Sequence, residues 1–185
     1  MTVKLEVRRA VGADVESIAR IHVAGYEHTY RGMIPDEVID VRTVDLRRRS
    51  WHERLTEQRA RDIVVVGELD GEVSGFMSGG PAGPRECGDN AGAGCLENLY
   101  VLPPLIGTGV ASQLAGAMHS ELISGLDALG FSEAVAFVME DNTRGLRFLQ
   151  SRGWELDGSS REVEGVVQNR IHLSVSSCAP PTSDG

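Results

Sequence analysis

The chain has 185 residues, of which 41% are hydrophobic and 24% are charged. This length and balance are typical of one globular domain with a substantial core, and they exclude a chain disordered throughout, a collagen-like rod and a coiled coil. Its 18 Lys and Arg residues against 27 Asp and Glu residues give a net charge of −9. That balance argues against a protein that binds nucleic acid through its phosphates.

No stretch approaches the roughly 20 apolar residues of a membrane span, and the charged start, residues 1–9, lacks the apolar run of a signal peptide. The three cysteines are odd in number and far apart, which fits neither a disulfide framework nor a zinc site. We therefore expect a cytoplasmic protein with free thiols, a single domain over residues 1–175, and a disordered Pro/Ser-rich tail over residues 176–185.

The first third of the chain alternates strand and helix patterns. Residues 3–9 alternate apolar and polar side chains, as a half-buried strand does. Asp14 is typical of a helix N-cap, and the apolar spacing after it predicts a helix that ends before residues 31–35. The segment 43–60 is rich in arginine, and its run Arg47–Arg49 is interpreted as a solvated helix face or, alternatively, as a site for an anionic group.

A hairpin is predicted next, from the β-branched run 63–66, the tight-turn pair Asp70-Gly71 and the run 73–77. The glycine- and proline-rich residues 79–94 predict a long flexible loop. The remaining predicted elements are a strand over Leu96–Leu102, a helix from Val110 closed by Gly130, a strand over Ala134–Met139, a short helix capped by Asn142, and strands that begin at Trp154 and Ile171.

The stretch Leu99–Ser112 contains a strand end, a glycine-containing turn and a helix start. Gly107 and Gly109 let backbone N–H groups approach a ligand, and the first amides of a helix have no internal partner. This pattern is typical of a phosphate site, but it also fits a tight turn without a ligand. It is neither a P-loop, since no Gly-Lys-Ser/Thr follows, nor the dinucleotide fingerprint, since Ser112 occupies the third glycine position.

Three motifs occur in a specific order around this stretch. Val101-Leu102-Pro103 with Ile106–Ala111 matches V-x-P followed by Q/R-x-x-G-x-G/A, and Asn142–Trp154 matches N-x-x-A-x-x-F-Y-x-x-x-G-F. Gly25–Pro35 is similar to W-x-x-x-Y-R-G-x-L-P. With these motifs, nearly the whole chain resembles the GNAT superfamily of acetyl-CoA-dependent N-acyltransferases. Two positions depart from the pattern, namely Ile106, where the family has Gln or Arg, and Leu149, where it often has a tyrosine taken as the general acid.

The resemblance implies an α/β fold with a mixed, mostly antiparallel sheet and helices on both faces. It implies acetyl-CoA as co-substrate, no metal, and direct attack of a primary amine on the thioester in a ternary complex. By this resemblance, the pantetheine arm and the oxyanion of the reaction are expected to contact the strand residues Leu99, Tyr100 and Val101. The implied contacts of the diphosphate are with Gly107, Thr108, Gly109, Val110 and Ala111, and a further cofactor contact is with Asn142.

Tyr26 and Tyr30 lie four residues apart, so they share one helix face. The resemblance places them at the mouth of the acceptor pocket, and aromatic packing against the sheet is the alternative. His22, on the apolar face of the same helix, is interpreted as a core histidine rather than a base.

A primary amine with a pKa of about 10.4 is almost fully protonated at neutral pH, so a base or a water relay must remove its proton. Glu97 is the predicted catalytic base, because strand alternation places it on the side of Leu99 unless a bulge intervenes. The alternative for Glu97 is a solvated or salt-bridged carboxylate. Glu140 and Asp141, at the end of the next strand, are alternative bases.

The predicted function is thus N-acetyltransfer to a primary amine, carried by a small molecule or a protein. The net charge of −9 favours a cationic small amine. A non-catalytic acyl-CoA-binding sensor or scaffold is the rival hypothesis, motivated by Leu149 and Ile106, and a nucleotide-phosphate hydrolase is disfavoured because the sequence has no metal cluster. We expect no nucleic-acid or membrane partner, and a homodimer is left open.

Overall fold

This computed structural model describes residues 3–56, 61–83, 92–163 and 165–175. Seven strands and five α-helices lie within these ranges. The strands are β1 Leu5–Arg9, β2 Ile63–Leu69, β3 Glu72–Pro81, β4 Gly94–Val101, β5 Glu133–Met139, β6 Glu155–Val163 and β7 Val166–Ser174. The helices are α1 Val15–Tyr30, α2 Asp36–Asp40, α3 Val44–Thr56, α4 Gly109–Ala128 and α5 Thr143–Gln150. None of these described helices is both long enough and apolar enough to cross a membrane.

The chain forms two compact units, one of Met1–Gly80 with Leu96–Leu122 and one of Pro81–Cys95 with Ile123–Gly185. In the first unit the strand order is β1-β2-β3-β4, and β1, β2 and β3 pair antiparallel. In the second unit the first residues of β4 pair parallel with β5, and the order continues β5-β7-β6 through antiparallel pairs. The predicted α/β fold with a mixed, mostly antiparallel sheet is confirmed.

Helices cover both faces of the strands in the first unit. Val66 and Phe76 are fully buried in a cluster with residues of α1 and with Trp51 of α3. Burial of each such apolar side chain contributes about 1.5–3 kcal/mol. On the opposite face Gly67 leaves room for α4, because a Cβ there would lie 2.6 Å from Leu114 Cδ1. The prediction of helices on both faces is therefore confirmed within this unit.

Two sequence predictions need correction, and a third lies outside the described residues. The predicted loop over residues 79–94 is shorter, because β3 runs to Pro81 and β4 begins at Gly94; residues 84–91 lie outside the described residues. The last strand begins at Val166 rather than Ile171, because antiparallel pairing with β6 and β5 extends it through a polar stretch that lacks the apolar alternation of a strand. The predicted disordered tail, residues 176–185, lies outside the described residues.

Asp14 precedes α1, as predicted for an N-cap, but its side chain makes no capping bond. Its carboxylate instead accepts hydrogen bonds from Arg8 at 2.7 and 2.9 Å and from the Val11 N–H at 2.8 Å. Arg48 and Arg49 are exposed, as predicted for a solvated helix face, whereas Arg47 is half-buried. Both differences arise because distant charges and packed side chains compete with local preferences.

Candidate active site

The turn between β4 and α4 is built by a short chain of backbone hydrogen bonds. A 3₁₀ turn over Pro103–Leu105 follows the strand, and the Ile106 N–H donates to the Pro103 carbonyl at 3.0 Å. Gly107 then adopts a φ of +87°, in the left-handed region that glycine occupies without strain. The chain thereby turns from the strand into the 20-residue helix α4.

Three amides of this turn are available to a ligand. Among the described residues, none accepts a hydrogen bond from the N–H groups of Gly107, Gly109 or Val110. The Thr108 N–H donates to a carbonyl of the preceding turn at 3.0 Å, and the Ala111 N–H lies 3.4 Å from Thr108 Oγ1. Of the five predicted diphosphate contacts, three therefore have free backbone donors, while the amides of Thr108 and Ala111 are already engaged within the turn.

The turn is also open. Gly107 and Gly109 are exposed, and a Cβ built on either one meets no atom within 4 Å. No atom beyond the chain neighbours therefore occupies the side-chain space at these two glycines. The three amides lie at the positive end of the α4 dipole, so the arrangement favours a bound anion.

The end of β4 holds the three strand residues predicted to contact the cofactor, Leu99, Tyr100 and Val101. The Tyr100 side chain packs on α1, because a Cβ at Gly25 would lie 2.7 Å from Tyr100 Cδ1. Although the residue keeps some solvent contact, desolvation around its hydroxyl, together with a hydrogen bond with Tyr30, raises the pKa of Tyr100 well above its usual value. Tyr100 is therefore neutral, and the role of this strand toward a cofactor stays a prediction.

His22 is a core histidine, as the sequence predicts. It is 5% exposed, and its Nδ1 accepts a hydrogen bond from Trp51 Nε1 at 3.1 Å. Burial first, and then the positive charges of Arg47 and Arg42, lower the pKa of His22 to about 3. The imidazole is therefore neutral, and its acceptor nitrogen is occupied. Within the described ranges no group of three or more His, Cys, Asp or Glu residues is placed to bind a metal ion.

Glu97, the predicted base, forms an ion pair. Its Oε2 lies 2.5 Å from Arg54 Nη1, and Arg54 Nε lies 2.8 Å from Asp62 Oδ2. The Glu97 side chain is 34% exposed to solvent, whereas the side chains of Arg54 and Asp62 are 18% and 17% exposed. The salt-bridged alternative is thus observed, and it leaves part of the carboxylate open to water. No local pattern in the sequence points to Arg54, because its partner Glu97 lies 43 residues away.

Tyr26 and Tyr30 share a helix face as predicted, with ring centroids 4.6 Å apart. The Arg42 guanidinium lies over the Tyr26 ring at 4.7 Å from its centroid. Tyr26 also lines a cleft of about 320 Å³ in the first unit. The other lining residues are Val23, Glu27, Arg31, Ile39, Asp40, Arg42 and Thr43.

Asn142, in the second unit, caps α5, since its Oδ1 accepts a hydrogen bond from the Gly145 N–H at 3.0 Å. The predicted cap is confirmed, and the predicted cofactor contact stays a prediction. Leu149, in the place of the family's usual tyrosine, is only 4% exposed and lies in the core. The alternative bases Glu140 and Asp141 are exposed at the end of β5.

The sheet and its helices define an α/β protein, and the turn before α4 presents three amides without a described acceptor. A model of the acetyltransferase (GNAT) family matches residues 27–154, which is more than half of the chain. The chain therefore belongs to the GNAT acetyltransferase family, and it is an acetyltransferase enzyme. The family resemblance inferred from the three sequence motifs is confirmed.

Known relatives agree with this assignment. The uncharacterized N-acetyltransferase YuaI of Bacillus subtilis (strain 168) is 27% identical over 139 residues, which cover 74% of this chain and 72% of that protein. The PaiA N-acetyltransferase of Thermoplasma acidophilum, solved in complex with coenzyme A, has a TM-score of 0.73 at 15% identity and covers 92% of this chain and 99% of its own. YncA of Salmonella typhimurium, solved with its cofactor acetyl-CoA, has a TM-score of 0.64 at 21% identity, and the match covers 98% of this chain and 99% of YncA.

Proposed function

We propose that this protein transfers an acetyl group from acetyl-CoA to a primary amine by direct attack in a ternary complex. The observation that carries the proposal is the open turn before α4, where the amides of Gly107, Gly109 and Val110 have no described acceptor. Three N–H donors without a described acceptor at a helix N-terminus suit the diphosphate of a coenzyme. Solved relatives with coenzyme A or acetyl-CoA support this choice of ligand.

The remaining cofactor contacts follow from the resemblance to the family. The backbone of Leu99, Tyr100 and Val101 is proposed to bind the pantetheine arm as a neighbouring strand would. An N–H of the same segment is proposed to stabilise the negative charge that develops on the thioester oxygen. The Asn142 Oδ1 atom caps α5. Its side-chain amide nitrogen is the group proposed to donate a hydrogen bond to the cofactor.

In the proposed reaction the neutral amine nitrogen attacks the thioester carbonyl carbon, a C–N bond forms, and the C–S bond breaks. Glu97 is the proposed acceptor of the amine proton through a water molecule, with Arg54 holding the carboxylate in place. Leu149 has no proton to give and is buried. The leaving thiolate, whose thiol pKa is about 8.5, is therefore proposed to take its proton from water.

The acceptor side is proposed to lie against Tyr26 and Tyr30, of which Tyr26 lines the cleft. A single domain over residues 1–175 working in the cytoplasm is the proposed setting.

Two measurements on the full chain test the proposed function. Calorimetry should detect heat of binding for both CoA and acetyl-CoA, and a panel of primary amines should contain members that raise the release of free thiol from acetyl-CoA. Binding without any amine-dependent thiol release would support a non-catalytic acyl-CoA-binding protein instead. The absence of binding to a chain shown by circular dichroism to be folded would refute the proposal.

A further inference from the structure

Arg47 differs from its two neighbours in the basic run. Arg48 is exposed and pairs with Asp45 at 2.7 Å, and Arg49 is exposed. Arg47, in the first turn of α3, is half-buried, and its Nε atom is buried without a hydrogen-bond partner. Among the described residues, no carboxylate pairs with Arg47.

Other arginines of the chain show what a desolvated guanidinium ordinarily has. Arg54 meets the carboxylates of Asp62 and Glu97, and Arg170 meets Asp157. Such pairing is the rule, because removal of a cation from water costs free energy that only an anion or several acceptors offset. Arg47 carries this cost without a described partner, which indicates that a bound anion completes its surroundings.

Within the described part of the chain, no carboxylate is among the groups that shift the pKa of Arg47. Burial first, and then the positive charge of Arg42, lower the pKa of Arg47, while Tyr100 and Tyr26 act in the opposite direction. Burial raises the pKa of Tyr100, so its hydroxyl is neutral, and nearby His22 is neutral as well. The surroundings of Arg47 thus contain a second guanidinium and two phenols, all of which donate hydrogen bonds to an anion.

These groups adjoin the proposed acceptor side. Arg42, which stacks on Tyr26, lines the cleft of about 320 Å³. Two carboxylates also line the cleft, those of Glu27 and Asp40, but Arg31 pairs with both, at 2.9 and 3.0 Å. Tyr100 connects this region to β4, the strand that carries the proposed thioester contacts.

We propose that Arg47, with Arg42, binds a carboxylate on the acceptor, so that the acceptor is a small amine bearing a carboxylate, such as an amino acid. The inference rests on the proposed acetyl transfer to an amine. A planar guanidinium matches a carboxylate with two parallel hydrogen bonds, which a lysine ammonium cannot reproduce. The local charge around Arg47 thereby outweighs the chain's net charge of −9, which favours a cationic amine.

The test compares amino acids with amines of the same side chain that lack the carboxylate, for example phenylalanine with phenethylamine and leucine with isopentylamine. Thiol release from acetyl-CoA gives kcat and KM for each member of a pair. The wild-type protein should prefer the carboxylate-bearing member by about tenfold or more in kcat/KM, the scale of a charge-assisted hydrogen bond.

Arg47→Gln should erase most of that preference by raising the acceptor KM, Arg47→Lys should restore only part of it, and the KM for acetyl-CoA should move far less. Arg49→Gln, which removes an exposed charge from the same helix, is the matched control and should keep the preference. A preference of the wild type for the carboxylate-free amines or for polyamines would overturn the inference. The inference would also be overturned if Arg47→Gln changed kcat/KM equally for both members of a pair, or if it changed only the KM for acetyl-CoA.

A binding experiment separates this inference from the proposed reaction. Thermal shift in the presence of CoA reports acceptor binding without turnover. If no amine releases thiol but amino acids stabilise the wild type and not the Arg47→Gln variant, acetyl transfer fails while the carboxylate site stands. If amino acids give no shift beyond that of the matched amines, the carboxylate site fails, whatever the thiol assay shows. Circular dichroism of each variant verifies that it is folded.

Discussion

A methyl group at Gly109 probes the proposed diphosphate site directly. Beyond its chain neighbours and the backbone of its own helix, the Gly109→Ala Cβ would have no protein atom within 4 Å, and the residue begins a helix at a φ outside the left-handed region. The folded chain should therefore accept the change, and it gains up to about 1 kcal/mol from the higher helix propensity of alanine. Only a ligand seated against the turn would meet the new methyl group.

The expected loss of affinity follows from the hydrogen bonds at stake. If the methyl group holds a phosphate oxygen away from one of the three free amides, one charge-assisted hydrogen bond of about 1.5–3 kcal/mol is lost. At about 1.4 kcal/mol for each factor of ten, CoA should bind about 10- to 140-fold more weakly. Isothermal titration calorimetry with CoA measures this ratio, and denaturant unfolding measures stability in parallel.

The matched control is Gly12→Ala. Gly12 is also exposed, and a Cβ there also meets no atom within 4 Å, but it lies in the 3₁₀ turn before α1. That variant should bind CoA as the wild type does. If Gly109→Ala binds CoA within twofold of the wild type while remaining folded, the free amides of this turn do not hold the diphosphate, and the reasoning is refuted.

Three further predictions concern the base, the cap and the buried imidazole. Glu97→Gln should lower kcat at neutral pH and shift the pH–rate profile, while calorimetry finds CoA binding nearly unchanged; an unaltered profile removes Glu97 from the mechanism. Asn142→Ala should cost about 1 kcal/mol in unfolding free energy, whereas Asn142→Asp keeps the cap and should weaken only CoA binding; equal CoA affinity in Asn142→Asp and the wild type would exclude the amide contact. In the folded chain the pKa of His22 is about 3, against 6.5 for the free side chain. Its neutral form is therefore favoured by folding, and its contribution to the free energy of unfolding is complete above pH 6.5. That contribution falls by up to about 1.4 kcal/mol per pH unit as the pH drops toward 3. Denaturant unfolding at several pH values should show a shallower acid loss in His22→Gln, and identical slopes would contradict this assignment.

Local patterns predicted the parts of the site that local physics controls. The turn around Gly107, the paired faces of Tyr26 and Tyr30, and the Asn142 cap depend on backbone conformation and on spacing within one helix, both of which the sequence displays. The detail within the turn was not visible, because which amides remain free depends on hydrogen bonds such as that from Thr108, which form only once the chain has turned.

Charged side chains at the site were the least predictable. The sequence could present Glu97 as either a base or a salt-bridged carboxylate, and the structure shows its pairing with Arg54, which is 43 residues earlier in the chain. Arg47 looked like one member of a solvated run, but it is half-buried. Such outcomes depend on which elements pack together, since burial and partners at long sequence separation leave no periodic signal.

The sequence alone determined the alternating strands and helices, the glycine turn before α4 and membership in a family of acyltransferases, because each depends on residue types at short, fixed spacings. Tertiary structure alone decided that Glu97 pairs with Arg54, that His22 is neutral, and that Arg47 is half-buried near Arg42 and two tyrosines. These are consequences of removing specific charges from water, and the extent of that removal is set only when distant segments close around them.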